Sequence, residues 1–190
     1  MALSILNPDS TTSNSPAWTL NGAVTVNAAI ADDDGDSTTI SATATGKSCT
    51  IGFDNLSVDN LNTINSVQII LNYRHNSKGA TGEIRSTLIT TVGSTVEALS
   101  TTPSQDFRDL TYTVRTIPIA GSTWTEEIVN GTTVNITLTG LSAGTMEITH
   151  CYLNVEYSTS IPTYTSNDNT QNLVLKDGTL NLKGGIIRIK

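Results

Sequence analysis

Asp32-Asp33-Asp34-Gly35-Asp36 is the densest charge cluster in the chain. Carboxylates at alternate positions ahead of a glycine resemble the start of a calcium loop, because hard cations take oxygen ligands and the glycine permits a sharp turn. An EF-hand also needs a bidentate Glu at loop position twelve. Counted from Asp32, that position is Thr43, which excludes the EF-hand. Asp32, Asp34 and Asp36 remain as a looser set of calcium ligands. An acidic turn leading into a strand explains them more simply and is the expectation.

The other reactive types are sparse. Glu126 and Glu127 are adjacent. Neighbours in a strand face opposite ways, and on a helix they diverge by about a hundred degrees, so they do not form the facing pair that glycoside hydrolysis requires. His75 and His150 lie in no nucleophile motif, and there is no G-x-S-x-G and no phosphate-cradling glycine loop. His150 has outward strand parity and His75 falls after a strand, so both are expected to be solvated. Cys49 and Cys151 are far apart, with no C-x-x-C and no Cys/His ligand spacing. Buried free thiols are the expectation, since a disulfide needs Cα atoms within about 7 Å. No catalytic group, no metal centre and no cofactor is expected. Trp18 and Trp124 offer flat apolar faces to a sugar, but with aromatics at only 5% they are expected to pack in a core or an interface.

These residues need a scaffold, and two stretches specify it. Residues 64–74 place Val67, Ile69, Leu71 and Tyr73 on one parity, with Gln68, Asn72 and Arg74 opposite. Residues 146–157 place Cys151, Leu153, Val155 and Tyr157 on one parity, with His150, Asn154 and Glu156 opposite. Period-two alternation with β-branched and aromatic residues on the apolar side predicts two central, half-buried strands. Further strands are predicted around 37–45, 48–56, 82–92, 96–99, 110–117 and 134–138, with turn signals every ten to fifteen residues. Residues 82–92 are expected to be contacted on both faces. Trp124 to Gly131 reads as a helical turn capped by Thr123 or Thr125 and ended by Gly131. The predicted fold class is all-β, an antiparallel two-sheet sandwich of jelly-roll type.

Three segments follow: an extended N-terminal arm at 1–22, the sandwich at 23–158, and a linker with a C-terminal β-hairpin tail at 159–190. The tail carries the Asp177-Gly178 turn signal and ends in Gly-Gly-Ile-Ile-Arg-Ile-Lys. Residues 1–160 have net charge −9 and residues 161–190 have +2, giving −7 for the chain. An acidic body argues against nucleic acid, and no apolar run is long enough for a membrane helix. The sequons at Asn130 and Asn135 are expected to be chance matches in a Thr-rich chain.

The D-D-G-D turn before Thr39, the segment Ile64-Asn65-Ser66-Val67-Gln68-Ile69, and Trp124-Thr125 leading to Cys151-Tyr152-Leu153-Asn154-Val155-Glu156-Tyr157 together resemble a β-sandwich of tailed-phage virion structural proteins. The resemblance covers residues 32–157 and leaves both ends aside. It implies a non-enzymatic capsid cement or decoration protein, homo-oligomeric and bound to the major capsid protein or another virion protein. The first seven residues lack a secretory signal, so the expected route is synthesis in the host cytoplasm and residence on the capsid surface. Gripping would fall to Trp18 in the arm and to Lys176, Lys183, Ile186, Ile187, Arg188, Ile189 and Lys190 in the tail. The alternative is a carbohydrate- or receptor-binding domain of a fibre or tail protein.

Overall fold

The computed structural model describes residues 1–32, 37–58, 63–77, 81–91, 95–100, 108–114 and 123–159. The chain divides into Met1–Ser160 and Ile161–Lys190, and the described residues all belong to the first unit. Asp34, Asp36 and every tail residue named above lie outside them, as does the proposed hairpin. Asp32 is described and exposed.

The strands are β1 (Ala2–Leu6), β2 (Pro8–Asn14), β3 (Thr19–Asn21), β4 (Thr39–Ala42), β5 (Ser48–Phe53), β6 (Thr63–His75), β7 (Gly82–Ile89), β8 (Thr95–Ser100), β9 (Arg108–Val114), β10 (Thr133–Leu141) and β11 (Met146–Ser158). Two short helices, α1 (Val26–Ala29) and α2 (Glu126–Asn130), join them. One sheet runs β3-β4-β11-β6-β9, with β1 also paired to β11. The other runs β2-β5-β10-β7-β8. All pairings are antiparallel. The eight strands from β4 onward follow a simple rule. Pairs β4–β11, β5–β10, β6–β9 and β7–β8 form one long antiparallel ribbon. Rolling that ribbon brings β6 beside β11 and β7 beside β10. This is the jelly roll, and the all-β two-sheet sandwich is shown.

The two predicted central strands pair with each other over nearly their full length. Val67, Ile69, Leu71, Cys151, Leu153 and Val155 all face inward and are buried. They meet Cys49, Ile51, Ile84, Leu88, Val134, Ile136 and Leu138 from the second sheet in one core. Each fully buried Leu, Ile or Val contributes roughly 1.5–3 kcal/mol of transfer free energy, so parity on these strands decides the fold. Along β7, Ile84, Ser86 and Leu88 are buried, while Arg85 and Ile89 are exposed. The expectation of contact on both faces is corrected, because only the inward side of this strand is covered.

Residues 1–22 are not an arm. β1 adds to β11, β2 to β5 and β3 to β4. Backbone pairing needs no apolar side chains, which is why the polar run Pro8–Asn14 forms a strand. Side chains then lock it in place. Thr11 donates to Asn27 Oδ1 at 2.8 Å, and Asn27 Nδ2 donates to the Asp9 carbonyl at 3.1 Å. Asn14 Oδ1 accepts from the Trp18 backbone N–H at 2.9 Å, closing the loop that inserts Trp18 into the core at 2% exposure. Trp18 is therefore core and has no surface to offer a partner. Val24 and Val26 flank Thr25. Thr25 caps α1 by accepting from Ala28 N–H.

Candidate functional site

The sandwich presents two outward faces and, beside α2, a cleft. The cleft, about 510 Å³ and open, is lined by Asn55, Glu126, Glu127 and Asn130. α2 forms where the sequence places it. Thr125 caps it by accepting from Ile128 N–H at 3.2 Å, the two glutamates occupy its first turn, and Gly131 ends it. Asn130 clamps the loop that follows β5, accepting from Leu56 N–H at 2.6 Å and donating back to the Leu56 carbonyl at 3.1 Å. Trp124 is buried beside it. Both glutamates line the cleft, and Glu126 Oε2 accepts from Val58 N–H at 3.4 Å, so the cleft anchors the loop at Leu56 and Val58.

The outward face of β6 and β11 carries a denser set of functional groups. Cross-strand register places Arg74 beside Glu147, Asn72 beside His150, Ile70 beside Tyr152, Gln68 beside Asn154 and Ser66 beside Glu156. Glu147 and His150 are three residues apart, so strict alternation would put them on opposite faces. A β-bulge between Ile148 and His150 corrects the parity. The extra residue, Thr149, turns inward, is fully buried, and donates to the Thr38 carbonyl at 3.2 Å. Bulges re-aim side chains in this way, and here one aligns the whole row.

The side chains hold one another in position. Asn154 Nδ2 donates to Gln68 Oε1 at 2.8 Å. Ser66 Oγ donates to Glu156 Oε2 at 3.0 Å. Arg74 Nε donates to Glu147 Oε2 in a half-buried ion pair. The His150 and Tyr152 rings lie 4.7 Å apart at 35°. Tyr152 stands directly across from buried Ile70, an aromatic–aliphatic pairing that limits its motion. Asn72 Oδ1 and Asn154 Oδ1 are enclosed acceptors with no donor. Leaving such an atom unpaired costs roughly 1–3 kcal/mol.

The outward face of the second sheet is built differently. Asn135 is its hub. Its Nδ2 donates to Ser48 Oγ, Thr50 Oγ1 and the Cys49 carbonyl at 2.9–3.2 Å, and its Oδ1 accepts from Thr137 Oγ1 at 2.8 Å. Short side chains there satisfy each other. Both sequon asparagines thus serve as structural hydrogen-bonding centres.

His75 is corrected. It ends β6 fully buried, its Nδ1 accepting from Ser77 N–H at 3.1 Å. Inward parity, shared with Tyr73, carries it under the edge of the sandwich. His150 has the outward parity expected of it but is half-buried against Tyr152. Cys49 and Cys151 are free and buried. Burial pushes the Cys49 thiol up to about 12, offset in part by a hydrogen bond with the Ile136 backbone. Burial also raises Cys151, and the neighbouring Cys49 adds to that. Neither is a nucleophile at neutral pH. Among the described residues no group of three or more His, Cys, Asp or Glu could hold a metal. No helix among them is long and apolar enough to cross a membrane.

No family model matches this chain, and no curated protein sequence matches it. Solved structures similar to it include the CBM22-1–GH10 modules of xylanase 10B from Clostridium thermocellum, complexed with xylohexaose (TM-score 0.44, 8% identity, 77% of this chain). The chain spans only 26% of that structure. Tailspike protein 4 of bacteriophage CBA120, in its enzymatically active domain, gives a TM-score of 0.41 at 13% identity, over 82% of this chain and 19% of the other. The CBM36-1 domain of a multidomain xylanase from the hindgut metagenome of Trinervitermes trinervoides gives 0.38 at 10% identity, over 84% and 100%. The β-sandwich part of the sequence resemblance stands, whereas the capsid-decoration part gains no support. At these scores a ligand must be argued from this chain's own residues.

Proposed function

We propose that this chain is a non-catalytic carbohydrate-binding sandwich whose ligand lies along the outward face of β6 and β11. The observation that carries this reading is the aligned row itself: three amides, two carboxylates, a guanidinium and a His–Tyr ring pair, all on paired strands. Sugars present vicinal hydroxyls that both donate and accept. Amide and carboxylate side chains match them, and an aromatic ring covers an apolar sugar face. Because the row is already ordered by its own hydrogen bonds, little side-chain entropy is lost on binding. From Ser66 to Arg74 the strand runs about 27 Å, a length suited to an extended glycan.

The capsid-cement reading has lost one of its two supports. It relied on an N-terminal arm gripping a shell, and residues 2–21 belong to the sandwich. The experiment is a glycan array followed by calorimetry on the best ligand, with Tyr152→Ala and Gln68→Ala as probes. Binding to an oligosaccharide that both substitutions weaken is expected. A blank array, or binding indifferent to both residues, overturns the proposal.

A further inference from the structure

A sheet edge offers unpaired N–H and C=O groups to any passing strand, and natural proteins guard such edges. Most edges of this sandwich are guarded. β3 is only three residues long. β2 contains Pro8 and Asp9 and is broken by two register shifts. β8 carries Glu97 at its centre, and β9 begins with Arg108 and Asp109. β1 has none of these devices. Its sequence is Ala-Leu-Ser-Ile-Leu, without charge or proline, and it pairs with β11 over five consecutive residues without a bulge. Among the described residues β11 is the one strand it pairs with. Leu3 and Ile5 point outward at 58% and 57% exposure, and Met1 beyond them at 91%.

We infer that β1 is the interface through which two copies of this chain associate, β1 against β1, antiparallel about a two-fold axis. Two strands paired across a two-fold axis perpendicular to them are antiparallel, so one strand can supply both sides of an isologous contact. In a register centred on Ser4, Leu3 of each copy lies beside Ile5 of the other, and the outward apolar residues of both merge into one strip. Electrostatics selects the same place. Residues 1–160 carry a net charge of −9, so two bodies repel over most of their surfaces, and the strand at 2–6 has no charged side chain. Five residues give about 17 Å of paired backbone, a single strand edge where a standard interface buries about 800 Å² per partner. The dimer is therefore weak and concentration-dependent. This inference is independent of the glycan reading.

The test is sedimentation velocity on the full chain across a concentration series, at low and high salt. Self-association that strengthens with salt is expected, because screening relieves repulsion between like bodies. The double substitution Leu3→Lys, Ile5→Lys should abolish it while leaving the circular dichroism spectrum unchanged. A short bis-maleimide should join Ile5→Cys chains to one another, with Cys49 and Cys151 too buried to react. A monomer at every concentration overturns the inference. So does a dimer that survives the double substitution, or one in which Ile5→Cys chains do not cross-link. Association that salt weakens also overturns it, and points instead to capture of the basic residues 161–190 by the acidic body of another copy.

Discussion

The two outward faces of this sandwich have the same backbone and opposite chemistry. On β10 and its neighbours, Ser48, Thr50, Asn135 and Thr137 are short and bond to one another. On β6 and β11, Gln68, Arg74, Glu147, Tyr152 and Glu156 are long, and two enclosed amide oxygens, on Asn72 and Asn154, lack donors. A closed hydrogen-bond network stabilises a sheet and leaves little for a ligand. One with enclosed, unpaired acceptors costs stability.

Substitutions can separate the two. The largest effect lies beneath both faces and sets the scale. Trp18→Ala should cost about 3–5 kcal/mol in chemical denaturation, since it empties a core site; a Trp18 that served only as a surface anchor would leave stability unchanged. Asn135→Ala should cost about 1–3 kcal/mol by stranding the partners of the hub while leaving glycan affinity intact. Tyr152→Ala should do the reverse, lowering affinity about tenfold, or roughly 1.4 kcal/mol, with a melting temperature close to that of the parent. If Asn135→Ala weakens binding and Tyr152→Ala does not, the roles of the faces are interchanged. The smallest effect at neutral pH belongs to the shared interior. The thiols of Cys49 and Cys151 should resist a thiol reagent in the native state and react on unfolding. The unfolded Cys49 thiol ionises near 9 and the folded one near 12, so the folded form binds the proton more tightly. Its contribution is intact below pH 9 and is lost as pH rises toward 12, which an alkaline denaturation series on Cys49→Ala and its parent would show.

The strands most legible in sequence were those with one strongly apolar parity. Val67 to Tyr73 and Cys151 to Val155 announce both their structure and their inward face. Thr125 and Gly131 likewise mark the ends of α2. What escaped was structure held by backbone pairing or by single side chains. β2 is polar on nearly every residue, and its strand state follows from β5 lying alongside. β1 shows Leu3 and Ile5 to solvent and buries Leu6, so its apolar residues do not mark one inward face. The binding row was half legible: the outward parity of Gln68, Asn72, Arg74, His150, Asn154 and Glu156 is plain. That Glu147 joins them depends on the bulge at Thr149, and an extra residue in a pleat has no reliable signature in one sequence. Arg74 and Glu147 are 73 residues apart, and register alone brings them together.

The pairing of β1 with β11 has a mechanical consequence. Ala2 sits across from Tyr157 and Leu6 from Leu153, so the first and last strands of this unit lie side by side with their outer ends together. Tension applied between residues 1 and 158 opens that ladder like a zipper, one rung at a time from Ala2, rather than loading all five rungs in shear. The jelly roll behind it, closed by β6 and β11, stays shut while its first strand peels away. A domain wired in this manner yields early and locally under a pull, and re-forms by laying one short strand back down.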